Sequence, residues 1–159
     1  MAKPKDETEG RVIENRKARF SYHILDTLEV GVVLRGTEVK SVREGKVSIA
    51  EGYVRVEDNP PSLTLYGMNI DAYGPAGPRN HNPKRSRPLL AHKREIAKFG
   101  LQVQQKGMTV VPLKLYFKNG YAKLLIGLAK GKNKSDKRQT IAKREAGREI
   151  DRAMSKRRG

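Results

Sequence analysis

The sequence predicts a mainly β protein: a small antiparallel barrel with short helices and a basic C-terminal tail. Three observations predict it. Period-2 runs of apolar residues recur along the chain, broken by turn residues rather than by long helical stretches. Two of these runs flank Asn119-Gly120, a dipeptide that favours a tight hairpin turn. Beyond residue 128 the apolar pattern stops, and residues 129–159 carry 12 basic and 4 acidic side chains, a net charge of +8.

Taken in order, residues 1–18 hold few apolar anchors, so a frayed start is expected, with 1–12 flexible and the barrel spanning 13–128. Phe20, Tyr22 and Ile24, then Leu28, Val30, Val32 and Leu34, alternate with their neighbours and predict two strands around Asp26-Thr27. From Gly36 the period changes. Thr37 as cap, Val39 and Val42 on one face and Gly45 as stop predict a two-turn helix that packing must hold. Val47–Val56 and Leu63–Ile70 predict strands around a turn at Glu57–Ser62. Residues 71–88 hold four of the eight prolines and predict an irregular basic loop, with Arg79, Lys84, Arg85 and Arg87 on RNA or in water. Leu89–Phe99 predicts a helix ended by Gly100. Met108–Phe117 and Tyr121–Leu128 predict the hairpin, and residues 129–159 a tail, disordered in isolation and helical on an RNA surface.

The 159 residues suit one domain. Against 17 acidic residues stand 34 Lys and Arg, a net charge of +17 that seeks a polyanion, nucleic acid before an anionic membrane. The absence of cysteine excludes disulfides, thiol nucleophiles and thiolate metal sites. No apolar run approaches the ~18 residues of a membrane span, and the first residues lack the apolar core of a secretory leader, so a soluble cytoplasmic protein with no membrane partner is expected. His23, His81 and His92 lack metal-ligand spacing, and no metal or cofactor is expected. Gly127–Asn133 falls one residue short of a phosphate loop, and Asn133 stands where Ser or Thr would bind magnesium. No catalytic constellation emerges, so a binding protein is expected rather than an enzyme. A structural ribosomal protein and an RNA-processing enzyme using scattered acids are the alternatives.

The Asn-Gly turn sets the hairpin register: Lys118 faces Tyr121, Phe117 faces Ala122, Tyr116 faces Lys123 and Leu115 faces Leu124. Val111, Leu113, Leu115, Phe117, Ala122, Leu124, Ile126 and Leu128 then form one core face. The other face collects Lys114, Tyr116, Lys118, Tyr121 and Lys123, cations interleaved with rings that can meet phosphates and stack on unpaired bases. The OB-fold is the commonest small barrel that binds nucleic acid. His92, Lys93 and Arg94 form a candidate phosphate contact. Glu29, on the strand face opposite Leu28 and Val30, reads either as half of a surface ion pair or as an acceptor for base or ribose donors. Leu90, judged by pattern alone, reads as core.

Several ordered segments carry a family resemblance. Glu14–Arg19, Glu29–Leu34, Gly36–Arg43, Leu89–Glu95, Val111–Gly120 and Gly127–Lys132 followed by Asp136-Lys137-Arg138 resemble the tmRNA-binding small protein B family, over about residues 13–154. The resemblance implies a bacterial ribosome-rescue factor with an OB-like barrel. It would bind the tRNA-like domain of tmRNA and escort it to stalled ribosomes, small-subunit rRNA included, for tagging of incomplete proteins, and it is expected to act as a monomer. Glu29, Leu90 and Lys123 fall on the family's RNA-contacting residues. The tail, with Lys130, Lys132 and the Asp136-Lys137-Arg138 motif, would enter the empty message channel as a helix, Ile150 and Met154 giving it an apolar face. Two departures stand out. Phe20 replaces the family's histidine, and Ala146-Gly147 follows Arg144-Glu145, with a helix cost of about 1 kcal/mol at the glycine that predicts a break or bend.

Overall fold

The computed structural model describes residues 8–105 and 107–158. Its strands are β1 (Thr8–Glu14), β2 (Tyr22–Val32), β3 (Val47–Ser48), β4 (Tyr53–Asp58), β5 (Pro61–Tyr66), β6 (Asn69–Ile70), β7 (Arg87–Leu90), β8 (Met108–Lys118) and β9 (Tyr121–Gly131). Helices α1 (Arg16–Ser21), α2 (Gly36–Arg43), α3 (Lys93–Val103) and α4 (Lys134–Arg158) complete it, with a 3₁₀ segment at Gly74–Arg79. The main sheet runs β8-β4-β5-β7-β2-β9 and closes by pairing β9 with β8. Closure leaves no bare edge in the ring, which is how a small antiparallel barrel avoids open-ended pairing. The predicted OB-like class is the observed one.

The hairpin has the predicted register, Lys118↔Tyr121 through Leu115↔Leu124. The predicted single core face does not persist along it. A bulge between Pro112 and Lys114 flips β8, and a second between Ile24 and Asp26 flips β2. Leu115, Phe117, Leu124, Ile126 and Leu128 therefore fill the barrel, while Val111 and Leu113 join Ala18 and Ala129 in a separate outer core beneath α1. Gly127 makes this possible, because a Cβ there would lie 2.8 Å from Leu113 and 3.1 Å from Ile24.

Local departures from the sequence reading have local causes. Residues 8–14 do not fray: β1 pairs with β8, and buried Asn15 donates to the Ile49 and Pro112 carbonyls while its side-chain oxygen caps α1 at Ala18. Residues 1–7 of the expected flexible start lie outside the described residues. The two strands predicted around Asp26-Thr27 are one, β2, because β9 pairs with it on both sides of the bulge. Val47–Val56 splits into β3 and β4 at a turn closed by Gly52 N–H on the Ile49 carbonyl, and Leu63–Ile70 splits because β6 pairs with β3 instead of β4. In α2 the cap is Arg35, whose N–H is received by Glu38; Thr37 instead bonds His81. Leu89 belongs to β7, not to a helix, since β7 bridges β5 and β2. Gly100 does not end α3; it lies inside the helix, where a Cβ would meet Asp58 at 2.9 Å.

The 71–88 loop is tied down rather than free. Arg87 is fully buried and pairs with Glu38 at 2.5 Å, so it faces neither RNA nor water. Arg85 meets the other Glu38 oxygen at 2.5 Å. Burial alone would raise the Glu38 pKa, but bonds from Arg85, the Arg35 N–H and Arg87 outweigh it and hold the carboxyl below its ordinary range.

Residues 134–158 form α4 where composition predicts disorder in isolation. Asn133 Oδ1 accepts from the Asp136 N–H at 2.8 Å and Asp136 accepts from the Asn133 N–H at 3.4 Å, a reciprocal N-terminal cap. The predicted break at Gly147 is absent: one glycine's cost is borne by a capped helix of 25 residues.

Candidate nucleic-acid interface

β2 lies between β7 and β9, and Gly31 is the residue at which both pairings meet: it faces Leu90 on one side and Lys123 on the other. A side chain at Gly31 would crowd Leu90, its Cβ 3.3 Å from that of Leu90. Glycine keeps the surface concave there. The result is a hollow of about 350 Å³ lined by Glu29, Gly31, Leu90, Ala91, His92, Glu95 and Lys123. An adjoining hollow adds Tyr121 and Ala122.

Leu90 is 61% exposed, because the β7 alternation turns Arg87 and Leu89 inward and Pro88 and Leu90 outward. The core reading of Leu90 is thereby corrected. An apolar side chain displayed beside Lys123 and Glu29 suits contact with a base or a ribose face. Tyr121 is 71% exposed and offers a ring at the margin. His92, Lys93 and Arg94 are exposed at the start of α3, where the Glu95 carboxylate accepts from the His92 N–H at 3.4 Å and orders the turn.

Tyr116 departs from the stacking role. The residue is only 8% exposed, and its hydroxyl reaches across β9 to donate to Glu29. Lys118 Nζ lies 3.7 Å from the other Glu29 oxygen. Glu29 is thus both half of an ion pair and an oriented acceptor at the hollow. Lys114 shares this face, but its ammonium lies 3.7 Å from Glu14 on β1. Sequence reasoning missed Gly31 and Glu95. A glycine inside an apolar strand run, a mark of close backbone approach, was the available signal for the first; Glu95 carried none.

The base of the tail lies at the other end of β2. Lys130 is exposed near the end of β9, opposite His23. Lys132 donates to the Arg19 carbonyl at 3.3 Å and to Thr140 Oγ1 at 2.9 Å. Asp136 bonds His23 Nε2 at 3.1 Å, and this contact is the main cause holding its carboxyl below the ordinary value. Phe20 lies under both Lys137, 5.9 Å from the ring centre, and Arg144, at 5.8 Å. Arg138, Ile150 and Met154 are exposed on α4.

A closed, strongly basic OB-type barrel with a cationic and aromatic outer face defines an RNA-binding protein. A family model described as SmpB protein matches residues 12–156. The SsrA-binding protein of Pelotomaculum thermopropionicum is 52% identical over 146 residues, covering 92% of this chain and 94% of that protein. The SsrA-binding protein of Staphylococcus saprophyticus is 46% identical over 154 residues, covering 97% and 99%. A chain of the solved structure described as "tmRNA-SmpB: a journey to the center of the bacterial ribosome" aligns with a TM-score of 0.66 at 46% identity, covering 82% of this chain and 94% of that one. The chain belongs to the SmpB family.

Proposed function

We propose that this protein binds the tRNA-like domain of tmRNA and delivers it to stalled ribosomes, so that incomplete proteins are tagged. The observation that carries the reading is the meeting of Glu29, Leu90 and Lys123, from three strands, around Gly31. The names of its relatives, SsrA-binding proteins, and the likeness to a tmRNA–SmpB chain support it. Lys123 with Lys93 and Arg94 would meet phosphates, Leu90 and Tyr121 would pack on base or ribose, and Glu29, oriented by Tyr116 and Lys118, would accept donors from the RNA. The basic tail enters the empty message channel as a helix and contacts small-subunit rRNA. The protein acts in the cytoplasm as a monomeric adaptor without catalytic residues, metal or cofactor. Among the described residues no helix is long and apolar enough to cross a membrane.

The test is equilibrium binding to the tRNA-like domain of tmRNA at two salt concentrations, against an elongator tRNA. Tight, salt-sensitive and selective binding is expected. Equal, weak binding to both RNAs would overturn the reading and leave a basic RNA-coating barrel, the behaviour of a structural ribosomal protein.

A further inference from the structure

A hollow of about 310 Å³ lies between the later turns of α3 and the β4–β5 turn, lined by Asp58, Pro61, Ala97, Leu101 and Gln104. It shares no lining residue with the Glu29 hollow. Ala97, Leu101 and Gln104 follow at helical spacing and form one stripe of α3. The neighbouring stripe, Ile96, Phe99 and Gly100, is buried. Gly100 sets the closeness of the packing, since a Cβ there would lie 2.9 Å from the Asp58 carboxylate and 3.5 Å from Val56. That approach brings Asp58 against the helix next to Leu101. Leu101 is 70% exposed, and exposed Ala97 with half-buried Pro61 extends the apolar surface around it. A lone exposed leucine is ordinary, but one on the wall of an apolar hollow with a polar rim has the form of a protein contact.

The charge of this face differs from the rest of the chain. Lys and Arg number 34 among 159 residues, yet residues 56–66 and 99–105, which frame the hollow, contain none. Lys98, just before the second stretch, does not line it. Glu57 and Asp58 are exposed on the turn. Glu14, Glu29, Glu38, Glu44 and Glu51 each have a Lys or Arg partner. Among the described residues Glu57 and Asp58 have no such partner, and Asp58 accepts from the Gln104 amide at 3.5 Å. Carboxylates without counter-charges repel phosphates, so nucleic acid is the wrong ligand for this face. Their complement is Lys or Arg, and the complement of the hollow is an apolar side chain.

We propose that this groove docks a basic protein segment, which sets one apolar side chain against Leu101 while a flanking Lys or Arg meets Asp58 and Glu57. The proposal does not rest on the RNA-binding reading. Leu101 stands nine residues beyond His92, about 14 Å along the helix, so the partner sits beside the Glu29 hollow without using its residues.

The test uses the full-length protein without RNA and a fluorescein-labelled peptide of Leu, Ala and Lys, its leucines at helical spacing, followed by anisotropy. A net charge of +17 disfavours unspecific binding of a cationic peptide, so saturable binding reports a local site. The native protein is expected to bind, with amide shifts confined to residues 57–61 and 97–104. Leu101→Ser is expected to bind about tenfold more weakly. Asp58→Asn, which keeps an acceptor for Gln104, should weaken binding about threefold and lower its salt dependence. Both side chains are exposed, so both variants should keep the native urea midpoint. A control peptide with serine for leucine is expected not to bind. Unchanged affinity in Leu101→Ser, equal binding of the serine peptide, or a native protein that binds neither peptide would overturn the proposal. Groove shifts induced by an oligouridylate would give the face to RNA, and self-association lost in Leu101→Ser would give it to a second copy; either result refutes it.

Discussion

Glu38 is fully buried in a chain of net charge +17, and both of its oxygens are taken by arginines of the 71–88 loop. Removing one partner of a buried pair leaves an uncompensated charge. Arg87→Met should therefore cost about 3–5 kcal/mol in urea unfolding. Because the Glu38 carboxyl is held below its ordinary range, its contribution is complete above the unfolded value of about 4.3. It is lost as pH falls through the lowered folded value, so the Tm gap between the native protein and Glu38→Gln should narrow on acidification below that point. Glu29 and Lys123 are accessible by contrast, and their work is at the surface. Glu29→Ala and Lys123→Ala should each weaken tRNA-like-domain binding about tenfold. In the same urea titration Lys123→Ala should move stability by no more than about 0.5 kcal/mol, and Glu29→Ala should cost about 1 kcal/mol, because it takes this acceptor from the largely buried Tyr116 hydroxyl. Full affinity in a folded double variant would remove these residues from the interface.

At the scale of elements, the base of α4 is fastened to α1 and β2 by three different contacts: a capped aspartate on His23, a lysine on the Arg19 carbonyl, and two cations over Phe20. The Phe20 departure from the family pattern thus gives up a titratable contact and supplies a ring on which the tail rests. Phe20→Ala should speed amide exchange across the first turns of α4 and leave the barrel amides unchanged. The Asp136 contact is present above the ordinary aspartate range and fades as pH falls through its lowered value, so amide protection in these turns, corrected for the intrinsic exchange rate, should also fall in acid. Since α4 contributes nothing to the Gly31 hollow, truncation after Lys134 should spare tRNA-like-domain binding and abolish tagging in a reconstituted rescue assay. Tagging at full yield would refute the role of the tail.

Over the whole molecule, charge and shape divide the work. The barrel supplies one rigid face and the tail a helix with an excess of cations, so affinity for RNA should fall steeply with salt. If Lys93, Arg94 and Lys123 each neutralise one phosphate, the log–log salt slope for the tRNA-like domain should be about 2–3 in magnitude. Lys123→Ala should lower it by about 1. A slope near zero would mean that the barrel face does not meet the RNA backbone.

Much of this was legible in the chain itself. Strict alternation plus Asn119-Gly120 determined the β8–β9 register, since a two-residue turn leaves no other pairing for flanking strands. The excess of Lys and Arg determined the class of partner, and the cationic face of the hairpin pointed to part of the proposed interface. What alternation could not show is where it is interrupted. The paired bulges at Leu25 and Leu113 turn the inner face outward and create the second core, and they follow from packing α1 against residues distant in sequence. Leu89 and Leu90 are neighbours of like chemistry, and only β7 pairing decides that one is buried and the other displayed. Arg87 looked like one more cation of a basic loop until the fold placed Glu38 beside it. Period and composition are local properties and the sequence determines them alone; the side of a surface and the partner of a charge are set by chain segments many residues apart, and tertiary structure decides them.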